Sequence, residues 1–442
     1  MNLRDNRLTF REKNPVPYRL LIWATLIVAA LWVFVQVDRG EIQPLFQATP
    51  TATRSISSYI QEAQAFFEAG NLDAAVRAYE DAIAVEPGND RLKAELAQVL
   101  VYASALQTSD AERSQRLLRA LEIINEAAES SPRDSYVQAI RVFVLNWNAN
   151  PNLVDAKTRE DLLFQAENTA GIAVQLDANN LLAQVYYAEV LLDQFKWTQA
   201  QQTIDNVLEK DPQFMDAYRV SGQVLETLGL YLAAAEAYEK AAEFAPNMTF
   251  LYLYIGYNYR IIAQQQNDPS SPTAQQFYEL SLEYFDRAAS INAAIGVPDP
   301  LPYLAIAKTY AQQGEFFIAS INAERALEFN PTDANTYGQL GIIYVQARNF
   351  ETALNVLKCA TYGCSAEDNE IAGVEVAGLP LTSLEVAFYY VQYGSVLSAL
   401  NFCPQAYPVL DDVEAAYGEN PELAGIIAED RNICAILQGT QN

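Results

Sequence analysis

The sequence predicts an all-α protein: one transmembrane helix, then an α-solenoid of about nine helix pairs closed by a C-terminal capping helix. Three observations lead there. Small residues recur with a 34-residue period from residue 56 almost to the end, the mark of a stacked helical repeat. Residues 20–37 form an uncharged, apolar run of 18. The composition is 51% apolar, 19% charged and has no histidine, which supplies a large core while removing the side chain most used for acid–base chemistry and zinc.

The apolar run is the first element. LLIWATLIVAALWVFVQV at a rise of about 1.5 Å per residue spans roughly 27 Å, close to the hydrocarbon thickness of a bilayer. Arg4, Arg7, Arg11, Lys13 and Arg19 precede it, and the 16 residues after it hold only Arg39. The excess of positive charge places residues 1–19 in the cytoplasm and everything after 37 outside, a single-pass cell-membrane topology. A cleaved signal peptide is the alternative, although its apolar core is shorter and ends at a small-x-small site that is missing here. Residues 38–55, rich in Thr and Pro and without periodicity, read as a tether. Beyond residue 54 the chain holds 21 basic and 51 acidic side chains.

The repeat units begin near residues 56, 90, 135, 181, 215, 249, 300, 334 and 387, occupy 56–420, and leave 421–442 as the cap and tail. Pro212 and Pro246 stand one period apart. The eighth position is small in Ala63, Ala97, Ala188, Gly222, Gly256, Ala307, Gly341 and Gly394, and the twentieth in Ala75, Ala120, Ala166, Ala200, Ala234, Ala319, Ala353 and Ala406. Large residues such as Phe66, Tyr79, Tyr238, Phe285 and Tyr344 fill the eleventh and twenty-fourth. Small positions let helices approach; large ones fill what remains. Three units carry 11–13 extra residues between their helices (106–116, 148–160 and 265–276), which a solenoid places on one edge. Residues 365–384 form a further insertion.

These residues resemble the tetratricopeptide repeat family over about 380 residues. The resemblance implies a right-handed solenoid whose first helices line a concave protein-binding face. At the family's inward positions stand Phe250, Leu253, Tyr257, Leu301, Leu304, Ile342 and Val345, the expected docking stripe for a partner segment. The clamp by which one subgroup holds a C-terminal carboxylate uses Lys and Asn; Ile60 and Gln64 stand there in the first unit.

No nucleotide-binding loop, catalytic serine elbow or calcium loop is present. The run Glu367-Asp368-Asn369-Glu370 reads as a hydrated loop. The sequence therefore points to no enzyme, cofactor, metal or small-molecule substrate, and strong acidity argues against nucleic acid. Outside the membrane the four cysteines are expected to pair. Cys403 opens a second helix and Cys434 closes the next, ends that adjoin in an antiparallel stack; Cys359 and Cys364 can pair if Gly363 breaks the helix. A four-cysteine zinc site, or reduced core thiols, are the alternatives.

The functional expectation is a membrane-anchored extracytoplasmic scaffold that holds a partner protein in its groove. The alternative is a self-assembling structural protein, an oligomer or filament of solenoids, although the pilin processing pattern is absent. A third possibility is an enzyme hidden in the insertions.

Overall fold

A computed structural model describes residues 17–38 and 54–439. The basic residues before 17, the tether's 39–53 and the last three residues lie outside the described residues. The chain divides into two units, 1–55 and 56–442.

The first unit contains α1 (Pro17–Asp38), 22 residues whose apolar side chains point into solvent, including Trp23, Val28 and Phe34. Thr25 returns its hydroxyl to the Leu21 carbonyl at 2.9 Å, which leaves the helix surface without an open polar group there. Among the described residues no helix is long and apolar enough to cross a membrane.

Among its described residues the second unit is a run of nine helix pairs and a cap. Units 1 to 3 are α2 (Ile56–Glu68) with α3 (Leu72–Val85), α4 (Asp90–Ser104) with α5 (Asp110–Ser130), and α6 (Ser135–Asn148) with α7 (Ala156–Leu176). Units 4 to 6 are α8 (Leu181–Asp193) with α9 (Trp197–Lys210), α10 (Met215–Thr227) with α11 (Tyr231–Phe244), and α12 (Thr249–Gln264) with α13 (Pro272–Ile295). Units 7 to 9 are α14 (Leu301–Gln312) with α15 (Phe316–Phe329), α16 (Ala334–Gln346) with α17 (Phe350–Thr361), and α18 (Leu384–Ala399) with α19 (Cys403–Tyr417), followed by α20 (Pro421–Gly439).

The periodic small residues are where helices touch. A Cβ on Gly222 would stand 2.7 Å from the Tyr238 ring, so the eighth position must be small to admit the large twenty-fourth. Second helices begin under side-chain caps where the sequence offers them, as at Asn71 for Ala74 N–H and at Ser109, which accepts from Glu112 N–H and donates its hydroxyl to the Glu112 carboxylate. First helices end on a left-handed residue two positions past the helix: Gly70, Gly229 and Gly314, but also Phe195, Arg348 and Asn401.

The three interhelix insertions do not all project as loops. Much of their length winds into the second helix: α5 and α7 have 21 residues and α13 has 24, against 14 in α9 and α11. Ser109, Asp155 and Ser271-Pro272 cap these lengthened helices at their new starts. The insertion at 365–384 is pinned instead. Cys364 pairs with Val376 as an isolated β-bridge, and buried Asn369 donates to Tyr337 Oη at 2.7 Å.

Both disulfides are formed, Cys359–Cys364 and Cys403–Cys434. Gly363, at φ +82°, makes the break that the first requires. No cluster able to hold a metal ion occurs among the described residues; Asp368 lies 3.5 Å from the Lys358 ammonium.

Candidate functional site: the two halves of the solenoid interior

Units 1 to 6 wind tightly enough to meet themselves. Asn247, in the turn before α12, donates to the Glu68 carbonyl at 2.9 Å across 179 residues, and Gly70 has no room for a Cβ against the Asn247 carbonyl. A second long-range bond joins unit 8 to unit 2, where Asn335 of α16 donates to the Thr108 carbonyl at 2.9 Å. The first helices facing the axis consequently press their inward side chains together. The ring of Tyr102 stacks on Phe250 at 5.5 Å, and Phe143 on Tyr186 at 4.3 Å.

At the centre of this plug lies an ion triad. Arg219, 1% exposed, takes Glu189 through two nitrogens at 2.8 and 3.0 Å and Asp216 at 2.7 Å. Tyr102 Oη donates to Asp216 at 2.7 Å, and Trp147 Nε1 to Glu189 at 3.0 Å. Burial alone would pull the guanidinium down, but Glu189 and Asp216 hold it well above the ordinary arginine range. Every charge here is answered, so the triad is structural glue with no open coordination site.

Units 7 to 9 do not close. Leu304, Ile342, Ile343 and Phe388 line a cavity of about 390 Å³ between α14, α16 and α18. A second cavity of about 660 Å³ shares Leu304, Lys308, Gln312, Gln339 and Glu385 with it and continues to Tyr257, Arg260 and Leu301. Together they form a groove with apolar walls.

Two cations face this groove with little compensation. Arg260 spends its polar atoms on the Ala305 carbonyl at 3.2 Å and lies over the Tyr257 ring at 5.0 Å. Burial pulls its guanidinium below the ordinary value. Lys308 reaches solvent inside the groove; desolvation by the walls lowers its ammonium and the Arg260 charge adds to the shift. Glu385 is the carboxylate acting on Lys308, and it also accepts from Tyr389 Oη at 3.1 Å.

The expected docking stripe is thus divided. Leu304 and Ile342 line the first cavity, and Tyr257 and Leu301 the second. Phe250 and Leu253 do not face a groove: they are 2% and 3% exposed in the core, because the first turn of the solenoid closes over them. Val345 packs toward the Ala353, Leu357 and Val396 cluster. The apolar reading of the stripe passed over Lys308 and Arg260, although they occupy the ninth and twelfth positions of their units, both inward by the family pattern.

Models of the tetratricopeptide repeat match residues 60–135 and 188–249, and a second such model matches 322–355. Over those stretches the chain matches the tetratricopeptide repeat. No curated protein matches it in sequence. Among solved structures it is similar to the human IFIT1 dimer with PPP-AAAA, at 15% identity and a TM-score of 0.52, covering 88% of this chain and 92% of that one. It is also similar to PilW, a type IV pilus biogenesis factor, at 17% identity and a TM-score of 0.41, over 56% of this chain and 99% of that one. These likenesses concern the fold.

Proposed function

We propose that this protein is a membrane-anchored scaffold whose solenoid lies outside the cytoplasm and holds a segment of a partner protein in the open interior of units 7 to 9. The observation that carries the reading is the groove itself. Its walls are mostly apolar and run over four first helices, from α12 to α18, while the interior between Tyr102, Phe143, Tyr186 and Phe250 is filled by the chain's own side chains. Lys308 and Arg260 make carboxylates in the partner segment the natural complement.

The anchor rests on the 22-residue α1, its outward apolar side chains and the five basic residues before it. Two disulfides and no free cysteine support an oxidising compartment for the solenoid. The nucleotide seen with IFIT1 is not carried over. The buried arginine here is neutralised by two carboxylates, and the chain's formal charge is −27.

Two measurements test the reading. Protease added to intact cells removes the solenoid and leaves a membrane-held N-terminal fragment; a protected solenoid overturns the topology. A photo-crosslinker at Ile342 forms an adduct with a partner polypeptide that Lys308→Glu suppresses, whereas one at Leu253 forms none. Equal adducts from both positions overturn the groove assignment.

A further inference from the structure

The repeat leaves one edge apolar where helical repeats are ordinarily polar. At the turn between the helices of unit 4, Phe195 is 70% exposed and sits edge-on to Trp197 at 6.5 Å. One period later, Leu228, Leu230 and Leu232 are each about half exposed, and in unit 3 Phe164 is 64% exposed. Phe164 and Leu232 occupy the same repeat position, two residues before the small twentieth, so stacking brings them to one edge. Lys196 and Gln194 of the unit 4 turn both bond Glu167, one helical turn from Phe164, which joins the patch across units 3 and 4. Units 1, 6 and 8 carry Asp73, Glu279 and Glu351 at that position, so the repeat itself does not demand an apolar residue there.

Phe195 adds a second, independent observation. Its φ is +62°, the left-handed conformation that units 1, 5 and 7 assign to Gly70, Gly229 and Gly314. A bulky aromatic is strained there, and its ring gains nothing from burial in return. A Gly would hold the same turn better. Strain kept for the sake of an exposed ring points to something that contacts the ring.

We infer that the edge formed by Phe164, Phe195, Trp197, Leu228, Leu230 and Leu232 docks an apolar helical segment of another protein, flanked by Lys or Arg. The charge around the patch decides the occupant. No acid interrupts 195–204 or 228–235, but Glu160, Asp161, Asp205 and Glu236 stand exposed around it. A second copy of this acidic chain, or an anionic lipid surface, would bring like charge against that rim. A basic-flanked apolar helix satisfies both the centre and the border. This surface lies on the turn edge rather than in the interior, and the inference is independent of the groove and of the anchor.

The probe is an 18-residue amphipathic peptide of Leu and Lys, titrated by fluorescence anisotropy against the full chain in detergent micelles. Its counterpart of Leu and Glu is titrated in parallel. The Leu–Lys peptide should bind, and the double variant Phe195→Gly, Leu230→Ser should weaken it at least tenfold. Val85→Ser, which trims a 46% exposed apolar side chain at the last residue of α3, should leave binding unchanged. Phe195→Gly alone should melt no earlier than the natural protein, which separates lost docking from lost folding. Equal binding by the two peptides, equal losses in both variants, no loss in either, or a concentration-dependent homodimer that the double variant abolishes would each overturn the inference.

Discussion

Units 2 to 6 and units 7 to 9 are written in the same repeat, yet their interiors have opposite character. In the first group, inward aromatic side chains meet across the axis and enclose Arg219 with its two carboxylates. In the second, Leu304, Ile342 and Phe388 face a cavity with Lys308, and Arg260 reaches it from the end of α12 in unit 6. The difference is set by contacts between distant units, above all Tyr102 on Phe250 and the Asn247–Glu68 bond, rather than by the local helix pair. A helical repeat can therefore serve as core or as binding surface according to whether a later turn returns over it.

Breaking the closed half should have the largest effect. Arg219→Met leaves Glu189 and Asp216 buried without their cation, and a loss of about 3–5 kcal/mol is expected in chemical denaturation. Changing all three to apolar residues of similar size should restore most of that loss. A small effect of the single change would mean that the interior is open to water there.

The far end of the open half is held differently. Cys403–Cys434 closes a loop with a sequence separation of 31, worth about 3–4 kcal/mol by chain-entropy reasoning. Replacing both by Ser should speed hydrogen exchange in α19 and α20 and leave α4 to α12 unchanged. Uniform acceleration would show that the two halves unfold as one.

A titration sharpens the comparison at the seam. Asp299, before α14, accepts from Asn292 Nδ2 at 2.8 Å and Leu301 N–H at 2.9 Å. Burial pushes its carboxyl from 3.8 to about 6. The folded chain therefore binds a proton between about pH 4 and 6 that the unfolded chain releases. The associated stability is present below pH 4 and is lost as pH rises through 6, by up to about 3 kcal/mol. Asp299→Asn should flatten part of that slope in melts from pH 4 to 7, the remainder belonging to Asp193 and Asp430, which burial also raises to about 6. An unchanged slope would place Asp299 in water.

The smallest effect on stability belongs to the groove wall. Ile342 is half-buried, so Ile342→Glu should cost about 1 kcal/mol while abolishing partner capture; Leu253→Glu, in the closed half, should cost several. Similar melting of the two variants would erase the distinction.

Much of this was legible in the sequence. The nine pairs follow from Ala and Gly at fixed positions because those residues act on neighbours within one period. Both disulfides could be read from helix ends and from Gly363. The closure was not legible, since superhelical winding depends on side chains more than a hundred residues apart. Asp216, Arg219, Lys308 and Arg260 did leave a signal: each is charged at an inward position otherwise apolar. The lengthened second helices were hidden because Ser109, Asp155 and Ser271 look like loop residues until the helix they cap is seen.

Hydroxyl-radical footprinting of the full chain in micelles tests the asymmetry of the interior most directly. Tyr102, Phe143 and Phe250 should remain unmodified while Tyr257, Ile342 and Phe388 are oxidised at rates typical of half-exposed side chains. Comparable oxidation of both sets would mean that the first turn of the solenoid does not close, and would contradict the account.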